Sequence, residues 1–461
     1  MNPLFAGVDV GTSGIRIIIA DDSGVVHARA SAPLRASASG GRHEQEPEHW
    51  WESAGAALQA ALSQLSDLCA LRAIAVDGTS GTLVCADESG HPVGPAIMYN
   101  DARARQEARR MRHVSSWANL SGSWSLPKAA WIKRREPQRF ARIRYCLSQA
   151  DWVAGRLCGT FGITDYSNGL KMGLDLTTES WPHWIDSDIR CLLPDVVAPG
   201  TQIGTITQQT GTFTGLPKGL PVVTAATDGV AAGLASGLHR GGDYSTSLGS
   251  TLTFKALAAA PVSHPMVYAH KLPGGLWLPG AASNVGAAWI PAWFANRDVQ
   301  ELDRRAGRVF PHARAVYPLL GRGERFPVAD DHLTVPRPEG LGEADLFAAG
   351  LLGTACVERR CYEVLDDAMS TAGGSVFSTG GGSQSDIWMQ LRADVCQRTF
   401  HLPACPEAAM GAAILAAAGT HFDSVRTAAR QMTRIRRTYY PAAGLGHAYD
   451  RFLSDYPWLC D

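Results

Sequence analysis

An apolar opening, Leu4-Phe5-Ala6, runs through Gly7-Val8-Asp9-Val10 to a turn, Gly11-Thr12-Ser13-Gly14. A β-branched run follows, Ile15-Arg16-Ile17-Ile18-Ile19. Two apolar runs joined by a short Gly/Thr/Ser turn predict a β-hairpin. Asp21-Asp22-Ser23-Gly24 is a second turn, and the stretch 25–30 reads as a third strand. Glu46-Pro47-Glu48 opens a helix, because proline suits the first turn and acids suit the N-terminal dipole. Trp51, Ala54, Leu58, Ala61, Leu65 and Leu68 recur at three and four residues and make one apolar stripe. The stretch 71–77 reads as a buried strand, so the opening order is β-β-β-α-β.

Further on, the apolar stretch 96–99 ends in Asn100, Asp101 and Arg103. Lys128 stands between Trp124 and Trp131 and reads as a surface lysine with its stem laid along them. Ile163 to Asn168 reads as a polar loop. The strand 220–226 ends at Thr227-Asp228-Gly229 and a small-residue helix follows, for which Asp228 would be an N-cap. The opening pattern then returns: strand, Gly249-Ser250-Thr251, strand. This internal echo predicts a second domain of the same topology, 1–240 being the first and 241–461 the second, with the two hairpins facing each other across a deep cleft. The stretch 343–369 is helical in pattern. A short strand at 375–378 enters Thr379-Gly380-Gly381-Gly382-Ser383-Gln384, and a helix starts at Asp386. The small-residue helix 407–418 suits tight packing between the domains.

At 461 residues the chain is longer than one typical core supports. Charge is near balance, 42 basic against 43 acidic residues, without long runs of one sign. That gives no reason to expect a nucleic acid or an anionic membrane as partner. No apolar run has the length of a bilayer span, and the N-terminus lacks the pattern of a secretion signal, so a cytoplasmic protein is expected. Ten cysteines without CxxC spacing read as reduced thiols, and fourteen histidines without HExxH give no zinc site.

The first turn offers backbone N–H groups, the hydroxyls of Thr12 and Ser13, and glycines that admit a close ligand, as a phosphate tail requires. Asp9 sits beside it as a carboxylate for a hydrated magnesium ion. Ser80 and Thr82, in Asp77-Gly78-Thr79-Ser80-Gly81-Thr82, offer hydroxyls to a polyol. The triple glycine at 380–382 admits a flat ring or a ribose. An ordinary turn explains each motif taken alone. Asp101 and Arg103 read either as a pocket wall or as a surface ion pair of little energetic weight.

The β-β-β-α-β order resembles the actin-like, ribonuclease H-like ATPase domain. Taken together and in order, the motifs resemble the FGGY carbohydrate kinases along essentially the whole chain. They are Asp9-Val10-Gly11-Thr12-Ser13, Asp228-Gly229, Ser247-Leu248-Gly249-Ser250-Thr251 and Gly380-Gly381-Gly382-Ser383-Gln384. The segment with Ser123, Ser125, Lys128, Trp131 and Ile132 approximates a family signature and departs from it at Ala129 and Arg135. The resemblance implies an α/β fold of two ribonuclease H-like domains, the first binding sugar and the second nucleotide. It implies ATP-dependent transfer to a terminal primary hydroxyl, with ATP and Mg²⁺ as cofactors and a small-molecule sugar and ATP as partners. A homodimer is compatible with it. By the same resemblance Asp228 and Asp9 are catalytic and hold the metal. Thr12, Ser13, Gly249, Ser250, Thr251, Gly381, Gly382, Ser383 and Gln384 bind the nucleotide. Ser80, Asp101, Arg103 and Asp228 bind the sugar. The Gly-Thr-Ser-Gly-Thr loop, with Met98-Tyr99-Asn100-Asp101-Ala102-Arg103, looks more like the compact ribulose kinases than the xylulose kinases with their Met-His pair, which ranks D-ribulose first and D-xylulose second. The alternative of another class is an actin-like nucleotide switch that binds protein partners.

Overall fold

The computed structural model describes residues 2–460 apart from 36, 40, 116, 118–119, 311–312 and 372. The chain divides by packing into two compact units. The first holds Met1–Ala235, His270–Gly274 and Cys405–Arg434; the second holds Ser236–Ala269, Gly275–Ala404 and Ile435–Asp461.

In the first unit the expected hairpin is β1 (Leu4–Val10) and β2 (Gly14–Asp21), followed by β3 (Val26–Pro33). Every residue of β1 is buried, as its apolar run requires. Helix α1 (Pro47–Leu62) lays Trp50, Trp51, Ala54 and Leu58 into the core, ending sooner than the stripe suggested. Then come β4 (Leu71–Gly78), α2 (Ser125–Arg135), α3 (Gln149–Cys158) and α4 (Tyr166–Lys171). The stretch read as a polar loop is in fact a short strand, Ile163–Asp165, running into α4. The Asp165 carboxylate caps that helix by accepting from the Ser167 and Asn168 amides, so polar composition there marks a helix start. β5 (Gln202–Thr205), β6 (Pro221–Thr227) and α5 (Asp228–Ser236) complete the unit's N-terminal portion. The sheet order is β5-β6-β4-β1-β2-β3. β1 runs antiparallel to β2 and parallel to β4, and β6 runs parallel to β4.

The second unit repeats this plan. β7 (Tyr244–Leu248) pairs antiparallel with β8 (Leu252–Ala256), and β8 antiparallel with β9 (Leu276–Ser283). After the long helix α6 (Glu343–Met369), β10 (Val376–Thr379) pairs parallel with β7. Helix α7 (Asp386–Cys396) leads to β11 (Phe400–Pro403), parallel to β10. The same sequence of antiparallel and parallel pairings therefore occurs twice, which is the structural form of the sequence echo.

Helix α8 (Ala408–Ala418), expected between domains, packs on β1, β4 and β6 inside the first unit. Its small residues let backbone meet backbone. A methyl group at Gly7 would lie 1.8 Å from the Ala409 carbonyl oxygen, and one at Gly411 would lie 1.9 Å from that of Ala231.

Candidate active site

The register of three parallel strands brings acids together. Asp9 of β1 is the direct neighbour of Asp77 on β4, and Gly78 is the neighbour of Thr227 on β6, one residue before Asp228. Asp9, Asp77 and Asp228 thus stand at the carboxyl ends of adjacent parallel strands, where ligands bind in open α/β sheets. Asp9 pairs with Arg16 across the hairpin at 3.1 Å. Burial nonetheless raises its pKa, with Arg16 working in the opposite direction. Asp77 is fully buried, and neither of its oxygens receives a hydrogen bond from the described residues. Burial first, then the charges of Asp9 and Asp228, push it well above the usual carboxylate range. A protonated Asp77 is a donor, with Asp9 beside it as acceptor. Asp228 is half-buried at the first turn of α5 and its Oδ1 accepts from the Gly229 amide at 2.6 Å. Among the described residues no group of three or more His, Cys, Asp or Glu side chains has the arrangement of a protein-only metal cage.

Beside the acids lies the loop 79–82. Thr79 Oγ1 is 2.6 Å from Thr82 Oγ1 and donates to Gln149 Oε1 at 2.8 Å. Thr82 Oγ1 also accepts from the Tyr99 amide. Both threonine hydroxyls are therefore used within the protein, whereas the buried Ser80 hydroxyl has no partner among the described residues. Lys128 is not a surface residue. It is fully buried, and its Nζ donates to the carbonyls of Gly81, Met98 and Ser123 at 2.8, 2.7 and 2.7 Å. Burial pulls its pKa down to about 7; Asp101 opposes that shift, and Lys171 and Arg103 add to it. Lys171 donates to the Ser80 carbonyl at 3.0 Å.

Asp101 and Arg103 form a buried ion pair and not a surface one. Arg103 Nη2 donates to Asp101 Oδ2 at 2.6 Å and Nη1 to Glu44 at 2.7 Å, with the guanidinium over the Trp131 ring. Asp101 also accepts from the His43 and Arg103 amides. Burial opposes ionisation of Asp101, but these donors outweigh it and lower its pKa.

In the second unit, Gly249, Ser250, Gly381, Gly382 and Gln384 line a cavity of about 890 Å³, whose apolar wall includes Phe347, Leu351 and Trp388. That volume and mixed lining suit a nucleotide. Gly380 takes φ +87°, and a methyl group there would meet the Leu248 carbonyl at 2.5 Å, so the loop needs glycine. Thr251 closes the hairpin turn, its carbonyl accepting from the Gly249 amide. Ser383 is buried and faces inward, bonded to Ser378 Oγ and the Thr379 carbonyl. In the first hairpin, Thr12 is half-buried and Ser13 exposed, and Gln45 holds the Thr12 carbonyl.

Residues 4–235 match the N-terminal domain of the FGGY family of carbohydrate kinases, and residues 244–420 its C-terminal domain. The chain belongs to the FGGY family of carbohydrate kinases. As a member it is an ATP-dependent sugar kinase. It is 30% identical over 446 residues to a xylulose kinase of Streptomyces rubiginosus, covering 90% of this chain and 88% of that relative. The solved xylulose kinase of Rhodospirillum rubrum superposes with TM-score 0.86 at 25% identity, covering 99% and 100% of the two chains. Plasmodium falciparum glycerol kinase with ADP shares the fold at 14% identity, TM-score 0.80, covering 100% of this chain and 98% of that one. No helix among the described residues is long and apolar enough to cross a membrane.

Sequence reasoning passed over Asp77, Gln149 and the role of Lys128. Asp77 carried a signal, since a carboxylate at the end of a strand parallel to β1 stands level with Asp9. Lys128 stands in the segment that approximates a family signature, but its role was not legible there, because its partners are backbone carbonyls.

Proposed function

We propose that this FGGY kinase transfers the γ-phosphoryl group of ATP to the terminal primary hydroxyl of a ketopentose. D-xylulose is favoured over D-ribulose, because relatives matched over most of the chain are named xylulose kinase. The loop that ranked D-ribulose first keeps it as the comparison substrate. The observation that carries the reading is the meeting of Asp9, Asp77 and Asp228 at the carboxyl ends of three parallel strands.

In this reading Asp228 accepts the hydrogen bond of the acceptor hydroxyl and orients it for in-line attack. Phosphoryl transfer is loose and the proton leaves late, so a carboxylate needs little basicity for this. Ser80 offers its hydroxyl to the sugar, and the Asp101–Arg103 wall holds the neighbouring backbone. Gly249, Ser250 and the loop 380–384 take the nucleotide. Hard carboxylate oxygens suit Mg²⁺, and Asp9 and Asp228 would hold it through water. That ion would screen the charge of the β- and γ-phosphates. Burial and the charges of Asp9 and Asp228 disfavour a charge on Asp77.

ADP release measured over D-xylulose, D-ribulose, hexuloses, glycerol and gluconate, with the phosphorylated product identified, tests the proposal. A ketopentose 5-phosphate as the dominant product supports it. Turnover confined to glycerol or an aldonate refutes it.

A further inference from the structure

Lys128 is unusual in kind: a lysine with no exposed surface whose three N–H donors all end on main-chain carbonyls. An ammonium group has three donors and no acceptor, so the match is complete only for the charged form. The three carbonyls belong to separate segments. Gly81 lies in the loop carrying Ser80, Met98 starts the segment that leads to Asp101 and Arg103, and Ser123 lies just before α2. A buried cation costs stability unless it is fully paired, and here the pairing fixes three chain segments to one point.

The surroundings bear on the Ser80 loop. Gly81 takes φ +93°. Lys171, on α4, holds the carbonyl of Ser80 from another side. Gln149, on α3, holds Thr79 through its amide and its hydroxyl. With those groups engaged, the Ser80 hydroxyl is a buried polar group of the loop that has no partner among the described residues. The other charges near Lys128 are Asp101, Lys171 and Arg103; Asp101 and Arg103 are already bound to each other.

We propose that Lys128 is the positioning residue of the acceptor loop, setting the Ser80 hydroxyl and the Asp101–Arg103 wall at the spacing the sugar requires while touching neither sugar nor nucleotide. This rests on the reading of 79–82 as the acceptor loop.

The test compares Lys128→Met with Ser80→Ala and wild type, using D-xylulose and ATP as varied substrates. Lys128→Met is expected to raise the sugar KM about 10- to 100-fold, the scale of a displaced positioning group. The ATP KM should stay within about twofold, since uniform loss of structure would move both. Propylammonium added to Lys128→Ala, which has room for it, should restore the sugar KM without affecting wild type. A folded Lys128→Met enzyme with unchanged sugar KM, or with both KM values raised alike, overturns the proposal. Should that variant not fold, Lys128→Ala folded with propylammonium carries the test. Removing the amine then raises the sugar KM if the proposal holds, and leaves it unchanged if not. An unchanged sugar KM in Ser80→Ala refutes the acceptor-loop reading itself, and the role of Lys128 falls with it.

Discussion

Replacing Arg392 by methionine tests how the nucleotide loop is held. Arg392 and Glu358 are both fully buried. The guanidinium grips the carboxylate with Nε at 2.6 Å and Nη2 at 2.7 Å. Its Nη1 donates to Ser378 Oγ at 2.7 Å, and Ser378 Oγ is 2.8 Å from Ser383 Oγ in the 380–384 loop. Methionine fills much of the volume but leaves Glu358 with the Tyr362 hydroxyl, at 2.6 Å, as its side-chain donor. An uncompensated buried charge costs about 3–5 kcal/mol. Urea unfolding followed by circular dichroism measures that loss, and equilibrium binding of a fluorescent ATP analogue measures the loop. Arg392→Met with Glu358→Leu should regain most of the stability, because removing both charges of a buried pair is often neutral. It should not regain nucleotide affinity, because Ser378 has lost its donor. A loss under about 1 kcal/mol in the single variant, the range of exposed pairs, would refute the energetic argument. Full ATP-analogue affinity in the double variant would refute the link to the loop.

Gly7→Ala forces a carbon to 1.8 Å from the Ala409 oxygen; ordinary C···O contacts are about 3.3 Å, so β1 and α8 must part. The expected cost is about 3 kcal/mol, and an unchanged Tm would contradict it. At Gly381 the same methyl meets nothing within 4 Å, so Gly381→Ala should keep its Tm while weakening ATP-analogue binding, the reverse pattern counting against the cavity as the nucleotide site. Asp21 is buried, which disfavours its charge, but His27, Ser23 and the Val25 amide outweigh that and lower its pKa to about 2. A depressed carboxylate pKa stabilises above the unfolded value of about 4 and is lost as pH falls through the folded one. Asp21→Asn should therefore reduce stability at neutral pH and flatten its decline between about pH 4 and pH 2; parallel acid-denaturation curves would contradict this.

What could be read in the chain was local. The first hairpin, the long helix Glu343–Met369 and the glycine loop declare themselves within a few residues, and Asp9 and Asp228 come with them. Elements whose meaning depends on distant partners did not. Asp77 gains its character from strand register. Arg392 meets Glu358 across 34 residues of sequence. Lys128 looked like a surface residue between two tryptophans, because nothing in a sequence marks which carbonyls will face it. The helix Ala408–Ala418 showed by its small residues that something packs close, but not that the partner is β1, at the opposite end of the chain. The ranking of D-ribulose above D-xylulose rested on two short segments, the loop at 78–82 and Met98 to Arg103, whereas similarity to xylulose kinases extends over most of the chain.

The most direct measurement is ketopentose-dependent ADP formation by Asp228→Ala beside wild type, with ATP-analogue binding measured on the same preparations. The account predicts a loss of about 10³-fold in turnover, the scale of a removed acid–base group, with binding and Tm retained. Near-normal ketopentose turnover in that variant would contradict it.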